Sequence, residues 1–183
     1  MAEEMLAVAD EVIGTLQAPI EEVAAEMARR LRGGAKILVC GNGGSAADAQ
    51  HLAGELVNRF LKERRPYAAL ALSTDTSVLT SIGNDYGFAQ VFEKQVHALG
   101  REGDVLIAIS TSGNAENVCR AVQAAKELGL LTVAVTGGSG GRLLPLVDRS
   151  LCVTSTASTP RIQEGHQFII HALCERVEEL MES

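Results

Sequence analysis

The chain has 183 residues, of which 46% are hydrophobic and 21% charged, a composition typical of one folded domain and not of a disordered segment. Its formal net charge of −7 argues against a general nucleic-acid or membrane-surface binder, because such proteins present basic surfaces. No apolar run approaches the length of a membrane span, and the acidic start MAEEML lacks the basic region of a signal peptide.

Two amphipathic helices are predicted before the first strand. Apolar residues recur at helical spacing through residues 2–17, and Pro19 suits the first turn of a second helix, which ends at a basic turn before a glycine pair. We interpret the chain as a single domain over residues 1–183, with a helical extension over 1–34 and an α/β core over 35–183. The apolar faces of the extension need a partner, either the core or another subunit.

Residues 36–60 have the pattern of a buried strand, a glycine-rich turn and a helix. An apolar run Ile-Leu-Val-Cys is followed by Gly-Asn-Gly-Gly, which removes Cβ atoms where a backbone turns sharply or approaches a ligand. Ser45 is predicted to cap the helix, with Asp48 three positions further on as in a capping box. Since free amides and the helix dipole point into such a turn, it is a candidate anion site.

A row of polar side chains follows along one side of this helix. Its members are spaced three or four positions apart and therefore project in the same direction. They are Asp48, His51, Glu55 and Arg59. The row would place acid–base groups one to three turns from the anion site. A surface helix with a Glu55–Arg59 ion pair explains the same pattern, and this segment alone favours neither interpretation.

Four more predicted strands alternate with helices along the rest of the chain. The strands are expected over residues 68–72, 104–109, 131–135 and 150–153. The first of the helices between and after them passes through Val78 and stops at 83–85, and the second covers 88–99. The third ends at Leu128, and the last begins at Pro160. This alternation predicts an α/β fold with a five-stranded parallel sheet in the flavodoxin-like order 2-1-3-4-5 and helices on both faces. Ligands in such sheets bind beyond the carboxyl ends of strands 1 and 3, where the order reverses.

The loop after the third strand carries three hydroxyl groups. Ser110, Thr111 and Ser112 are followed by Gly113 and Asn114. Hydroxyls and amides in this arrangement can surround a phosphate without a lysine, whereas ordinary helix capping would explain one hydroxyl but not three. The sequence lacks the P-loop pattern of nucleoside triphosphate binders, and its match to a dinucleotide fingerprint is loose.

The last predicted helix places a histidine within an apolar run. His171 lies inside residues 168–174, where we expect it to be buried and to need a hydrogen-bonding partner. Gln163 and Gln167 precede it at successive turns on the same side of the helix. His171 could belong to a functional site, or it could be a structural core histidine bonded to a backbone carbonyl. His166 is interpreted as a surface or packing residue.

The cysteines indicate a reducing compartment. They are Cys40, Cys119, Cys152 and Cys174, and their spacing shows no paired motif. At least three fall in predicted strand or helix interiors. We therefore expect buried free thiols in a cytoplasmic protein.

Taken together, these motifs resemble the SIS (sugar isomerase) family, and within it the branch that isomerises sedoheptulose 7-phosphate. The motifs are GNGGS at 41–45, DAQH at 48–51, GND at 83–85, GDVL at 103–106, STSGN at 110–114 and RIQE at 161–164. The resemblance runs over essentially the whole chain, including the N-terminal helices. It implies an SIS domain that converts sedoheptulose 7-phosphate to D-glycero-D-manno-heptose 7-phosphate through an enediol, the first step of nucleotide-activated heptose biosynthesis.

The resemblance also implies roles for individual residues. One Zn²⁺ per subunit would be held by His51, Glu55, Gln163 and His171. Glu55 and His171 would be the catalytic acid–base pair. Substrate would be bound by Asn42, Gly43, Gly44, Ser45, Arg59, Asp85, Ser110, Thr111, Ser112 and Gln163. Ala115 and Pro160 depart from the family pattern, where a serine and an aspartate can stand. From the residues themselves, the two N-terminal amphipathic helices and the largely apolar last helix predict a homo-oligomer, a tetramer, and the resemblance implies that its sites lie between subunits. The negative net charge predicts no nucleic-acid or membrane partner.

Two other classes share parts of this pattern. Non-catalytic SIS proteins that bind the bacterial replication initiator look similar in the loops but lack counterparts of Glu55 and His171, both of which are present here. Regulatory domains that sense sugar phosphates are normally fused to a DNA-binding module, for which 183 residues leave no room. The sequence therefore favours an enzyme.

Overall fold

The computed structural model describes residues 2–182, which form a parallel sheet covered by helices on both faces. In chain order the elements are α1 (Ala2–Gly14), α2 (Gln17–Arg32), β1 (Ile37–Gly41), α3 (Gly44–Val57), β2 (Ala69–Ala71), α4 (Thr76–Tyr86), α5 (Glu93–Leu99), β3 (Val105–Ser110), α6 (Glu116–Glu127), β4 (Leu131–Gly137), β5 (Arg149–Val153) and α7 (Thr159–Met181). Two short 3₁₀ turns, Phe88–Gln90 and Leu144–Leu146, connect elements.

The strand order is β2-β1-β3-β4-β5 and every pair is parallel, which confirms the predicted fold class and order. β1 and β3 are neighbours, with Gly41 paired to Ile109 at their carboxyl ends. Both strands are buried along their whole length, as expected for strands covered on both faces. The glycine turn after β1 and the hydroxyl loop after β3 therefore leave the same edge of the sheet side by side.

Successive residues of each central strand face two different helical layers. Ile37 and Val39 contribute to the core shared with α1, α2, α3 and α7. Leu38 and Cys40 contribute to the core on the opposite face, which α5 and α6 complete. The apolar faces of α1 and α2 are thus buried within the chain, where both helices pack on α7.

The start of α3 differs from the prediction. The helix begins at Gly44, with Gly43 at the N-cap, so Ser45 lies inside the first turn and is buried. Gly43 has a φ of +56°, a conformation that a serine would adopt only with strain. Asp48 bonds to Gln167 of α7 and takes no part in a capping box. The capping-box interpretation is therefore wrong.

The end of α3 also differs. The helix ends at Val57, so Arg59 lies beyond it and pairs with Glu63 at 3.7 Å instead of with Glu55. The charged loop that follows is not wholly at the surface. Arg64 is buried there in an ion pair with Glu178. A run of charged residues in the sequence did not reveal that one member has a buried partner more than a hundred positions away.

Two predicted helices in the middle of the chain have different boundaries in the structure. α4 continues through Tyr86, because the left-handed residue that ends it is Gly87, with a φ of +90°, and not the predicted stop at 83–85. The predicted helix over 88–99 is divided into a 3₁₀ turn and the short α5.

The four cysteines are free within residues 2–182. Three are buried and Cys152 is partly exposed, as expected. In the same described range, no helix is both long enough and apolar enough to cross a bilayer.

Candidate functional site

The candidate site lies along the seam between α3 and α7. Side chains meet across it in a regular order: Gly44 with Gln163, Asp48 with Gln167, and His51 with His171. Residue numbers increase together on the two helices, so the helices run in the same direction. The polar row predicted on α3 therefore faces a matching polar row on α7, which sequence spacing alone could not establish.

The first contact of the seam places Gln163 against the glycine at the start of α3. A Cβ added at Gly44 would collide with the Gln163 carboxamide, the flexible end of that side chain, so a larger residue would push this carboxamide aside. Gly43 and Gly44 are both exposed at the carboxyl end of β1. Their backbone amides stand where an anion can approach a helix start.

The centre of the seam is a pair of imidazoles. His51 Nε2 lies 2.9 Å from His171 Nε2, and the ring centroids are 5.1 Å apart. Only one of these nitrogens can carry a hydrogen in this geometry, so one ring donates and the other accepts. Glu55 Oε1 lies 3.5 Å from His51 Nε2. A carboxylate and two imidazoles, groups widely used for proton transfer, thus converge in one cluster.

His171 is exposed, and the prediction that it is buried is wrong. Its neighbours Ile169 and Ile170 turn into the core while His171 faces α3. The buried histidine is His166, whose Nε2 lies 3.0 Å from the carbonyl oxygen of Thr136. Burial lowers the pKa of His166. The structural core histidine of this chain is therefore His166.

Asp48 lies one turn before His51 and is almost fully buried. Its Oδ1 accepts a hydrogen bond from Gln167, while its Oδ2 has no hydrogen-bond partner within residues 2–182. Burial raises the pKa of Asp48, and the nearby Gln167 and His51 oppose this without cancelling it. The Asp48–Gln167 bond ties α3 to α7 next to the imidazole pair.

Two asparagines tie the glycine turn to the helix after β3. Asn42 Nδ2 donates to Asn117 Oδ1 at 2.8 Å, and Asn117 Nδ2 donates to Asn42 Oδ1 at 2.9 Å. This reciprocal pair spans the point where the strand order reverses. Sequence reasoning missed Asn117, whose only signal is a polar residue among the apolar positions of α6.

The loop after β3 is shaped by its own hydroxyls. Ser110 Oγ accepts a hydrogen bond from the Gly113 N–H at 3.2 Å, and Ser112 Oγ accepts one from the Asn114 N–H at 3.3 Å. Gly113 has a φ of +64°, and a Cβ there would collide with the backbone of Gly140. The loop is thus packed closely against the glycine-rich loop that follows β4.

A cavity of about 240 Å³ opens beside this loop. It is lined by Thr111, Ser112, the loop at 137–139 and Thr159 at the start of α7, among others. Within residues 2–182, Ala115 stands at the N-cap of α6 and makes no side-chain capping bond, so the hydroxyls are not used as helix caps. Hydroxyls and amides around a small cavity suit the oxygens of a phosphate.

Two predicted substrate-binding residues, Arg59 and Asp85, bond to neighbours outside the α3–α7 seam. Arg59 is exposed and its ion pair is with Glu63. Asp85 is exposed near the end of α4 and accepts a hydrogen bond from Asn84 at 2.8 Å. Among residues 2–182, no hydrogen bond or ion pair of either side chain reaches the α3–α7 seam.

The cluster contains side chains of the types that bind metal ions. No three His, Cys, Asp or Glu side chains of residues 2–182 form a metal site as they stand. The donor types nevertheless fit zinc, because two imidazole nitrogens and a carboxylate oxygen approach one another at His51, His171 and Glu55. The close approach of the two nitrogens means that a metal would replace the hydrogen they share.

Known proteins resemble this chain along most of its length. A family model described as SIS domain matches residues 2–137. The phosphoheptose isomerase of Nitratidesulfovibrio vulgaris is 58% identical over 156 residues, which cover 85% of this chain and 74% of that protein.

Solved structures give the same picture. A phosphoheptose isomerase from Neisseria gonorrhoeae superposes with a TM-score of 0.91 at 48% identity, covering 97% of this chain and 94% of that one. A phosphoheptose isomerase from Francisella tularensis superposes with a TM-score of 0.93 at 42% identity and the same coverage.

Proposed function

We propose a reaction for this chain on the basis of its family, because the chain belongs to the SIS domain family and to its phosphoheptose isomerase branch. The proposed reaction converts sedoheptulose 7-phosphate to D-glycero-D-manno-heptose 7-phosphate. It is a sugar-phosphate isomerase, and the reaction would be the first step of nucleotide-activated heptose biosynthesis. The observation that carries the proposal is the α3–α7 seam, which joins a candidate phosphate loop at one end to an acid–base cluster further along.

The spacing along α3 suits a long substrate. His51 lies seven residues after Gly44, which a helical rise converts to roughly 10 Å. A ketose phosphate with its phosphate on the last carbon separates the anion from the reacting carbons, C1 and C2. We infer that the phosphate occupies the sheet edge near Ser112 and that C1 and C2 reach the cluster of Glu55 and His171.

The chemistry needs one base at carbon and one acid at oxygen. Glu55 would take the proton from C1 and return it to C2, so that the carbon–hydrogen bond broken at C1 is replaced by one at C2. His171 would move a proton between the two oxygens as the enediol forms and collapses. Both roles suit side chains that contact each other through His51 and remain open to solvent.

We also propose that His51, Glu55, Gln163 and His171 hold one zinc ion per subunit. Zinc would supply Lewis acidity toward the substrate oxygens. In this structure the Gln163 carboxamide lies against Gly44, two helical turns before His171, so it would have to turn along the seam to reach an ion held by the other three residues. It is also a neutral donor, so we expect modest affinity.

Removing the metal should therefore be reversible. Dialysis against a chelator is expected to lower turnover by at least about tenfold, because a substrate oxygen loses its polarising partner, and added zinc should restore it. Elemental analysis should follow the same course, approaching one zinc per chain on restoration. Full activity in protein without measurable metal would leave these four residues as hydrogen-bonding groups only.

The hydroxyl loop leads to a prediction about binding. Ser112→Ala should raise KM on the order of tenfold or more with kcat nearly unchanged, because a hydrogen bond to a charged phosphate is lost. Ser150→Ala, at the amino-terminal side of β5, is the matched control and should change neither constant. Steady-state kinetics of the two variants and the wild type measure kcat and KM separately. A fall in kcat at constant KM would contradict a phosphate-binding role.

The assembly is proposed to be a homotetramer in the cytoplasm. Large apolar side chains remain exposed on α1 and α7, among them Leu6, Ile13 and Phe168. A groove between α1, α2 and α7 lies between them. Symmetric packing of copies would cover this surface, and even-numbered closed assemblies are common. The free thiols support a reducing compartment.

Turnover of sedoheptulose 7-phosphate by the purified protein, followed by NMR, tests the function. The binding-protein alternative predicts no product at any enzyme concentration. The presence of Glu55 and His171 in contact with one cluster, and the identity of the relatives as isomerases, favour the enzyme.

A further inference from the structure

A buried ion pair stands beyond the end of the seam. The side chains of Arg64 and Glu178 are only 1% and 2% exposed, and their closest atoms are 2.9 Å apart. The Glu178 carboxylate also accepts hydrogen bonds from the backbone N–H groups of Phe60, Leu61 and Lys62. Burial raises the pKa of Glu178, but these hydrogen bonds bring it below its ordinary value, so the group is charged.

The same arginine holds the last turn of α3. Its Nη2 donates to the carbonyl oxygen of Glu55 at 2.8 Å, and its Nη1 donates to that of Leu56 at 3.0 Å. α3 ends at Val57, so these carbonyls belong to the last turn and lack partners within the helix. A guanidinium there also complements the negative end of the helix dipole.

We propose that the Arg64–Glu178 pair positions Glu55 for proton transfer. Glu55 is in the final turn of α3, the part of a helix that frays most readily, whereas His51 lies one turn deeper. Arg64 fixes the backbone of that turn, and Glu178 anchors Arg64 to α7. This inference rests on the proposed role of Glu55 and adds two positioning residues to it.

With this pair, hydrogen bonds link α3 to α7 on both sides of the two imidazoles. Asp48 and Gln167 join α3 to α7 before His51, and Arg64 with Glu178 joins them after it. Two links at separate points along the helices fix both the distance between α3 and α7 and the rotation of one relative to the other. The carboxylate of Glu55 is thereby held against the cluster instead of sampling the range that a frayed turn would allow.

The chain contains a matched control at the opposite edge of the sheet. Asp104 is also buried, accepts from the N–H groups of Lys36 and Arg101, both at 2.9 Å, and pairs with the Lys36 ammonium. It therefore combines the same kinds of contact as Glu178. None of these contacts reaches α3 or α7, so Asp104→Asn should cost stability without moving Glu55.

The experiment compares Glu178→Gln with Asp104→Asn in the full chain, at a temperature where circular dichroism shows both to be folded. Glu178→Gln is expected to lower kcat about tenfold or more with KM within about twofold, because misplacement of a reacting group acts on the chemical step. NMR of labelled histidines should show the His51 signals shifted and those of His97 unchanged. Asp104→Asn should leave kcat and the His51 signals as in the wild type.

Arg64→Lys is the second test of the positioning role, for the case that Glu178→Gln does not fold. Lysine keeps the charge beside Glu178 but cannot serve two carbonyls as a guanidinium does, so kcat should fall by a smaller factor. Unchanged kcat and unchanged His51 signals would overturn the proposal, as would equal losses in Asp104→Asn. If the wild type does not turn over the heptose phosphate, the proposed function fails, while the His51 signals still test the positioning.

Discussion

Glu55→Gln should keep the fold and the binding of sugar phosphates but lose isomerisation by about 100-fold or more. The glutamine has nearly the same shape and can still contact His51, whereas it cannot accept a proton from C1. The loss should therefore appear in kcat while KM changes little. Glu55 lies at 3.5 Å from His51, which places its carboxylate in the same cluster as the proposed acid, His171.

The matched control is Glu127→Gln, an exposed residue at the end of α6. It removes the same charge far from the seam and should leave kcat and KM unchanged. Stopped-time assays with both variants, together with a binding measurement by calorimetry, separate catalysis from binding. Turnover within a few-fold of the wild type in Glu55→Gln would remove Glu55 from the mechanism.

Deletion of residues 1–32 should abolish both folding and turnover although no proposed catalytic residue is removed. The two helices bury a set of large apolar side chains against the sheet and α7: Val8, Val12, Leu16, Ile20, Val23, Met27 and Leu31. At about 1.5–3 kcal/mol for each buried side chain, their loss amounts to about 10–20 kcal/mol, against a typical net stability of about 5–15 kcal/mol. The truncated chain cannot make up that difference.

Thermal unfolding and light scattering measure this effect. The intact chain should show a cooperative transition and a mass near four times the 19.3 kDa of one chain, and the truncated chain should show neither. A single substitution provides the graded control. Met27→Ala, fully buried, should lower the free energy of unfolding by about 2–5 kcal/mol, and Glu22→Ala, exposed, by less than about 0.5 kcal/mol. An active, folded chain without residues 1–32 would contradict the account.

The sheet could be predicted because its signals are local. β1 and β3 are continuous apolar runs followed by unusual loops, and strands covered on both faces have this pattern whatever surrounds them. The order of the strands followed from the alternation with helices. The predicted position of the site rests on the point where that order reverses, and the structure brings the loops after β1 and β3 together there.

The pairings across the seam could not be predicted, since they join residues far apart in the chain. His51 contacts His171, and Glu178 is buried against a segment that has the composition of a solvated loop. The prediction that His171 is buried was wrong for the same reason. Apolar neighbours in sequence indicate a buried helix, but they do not tell which of its faces is turned toward the groove of a site.

The zinc ligands, the acid–base roles and the tetramer stay predictions. The structure brings His51, Glu55 and His171 together, while Arg59 and Asp85 remain away from them among the described residues. A site completed by a second copy of the chain would account for that separation.

The most direct test of the central claim is an NMR spectrum of the purified protein with sedoheptulose 7-phosphate in D₂O. Glu55 would exchange the proton taken from C1 with solvent before returning it to C2. We therefore expect the signals of an aldose heptose 7-phosphate to grow with time, with deuterium at its C2. An unchanged spectrum at enzyme concentrations comparable to the substrate would contradict the account.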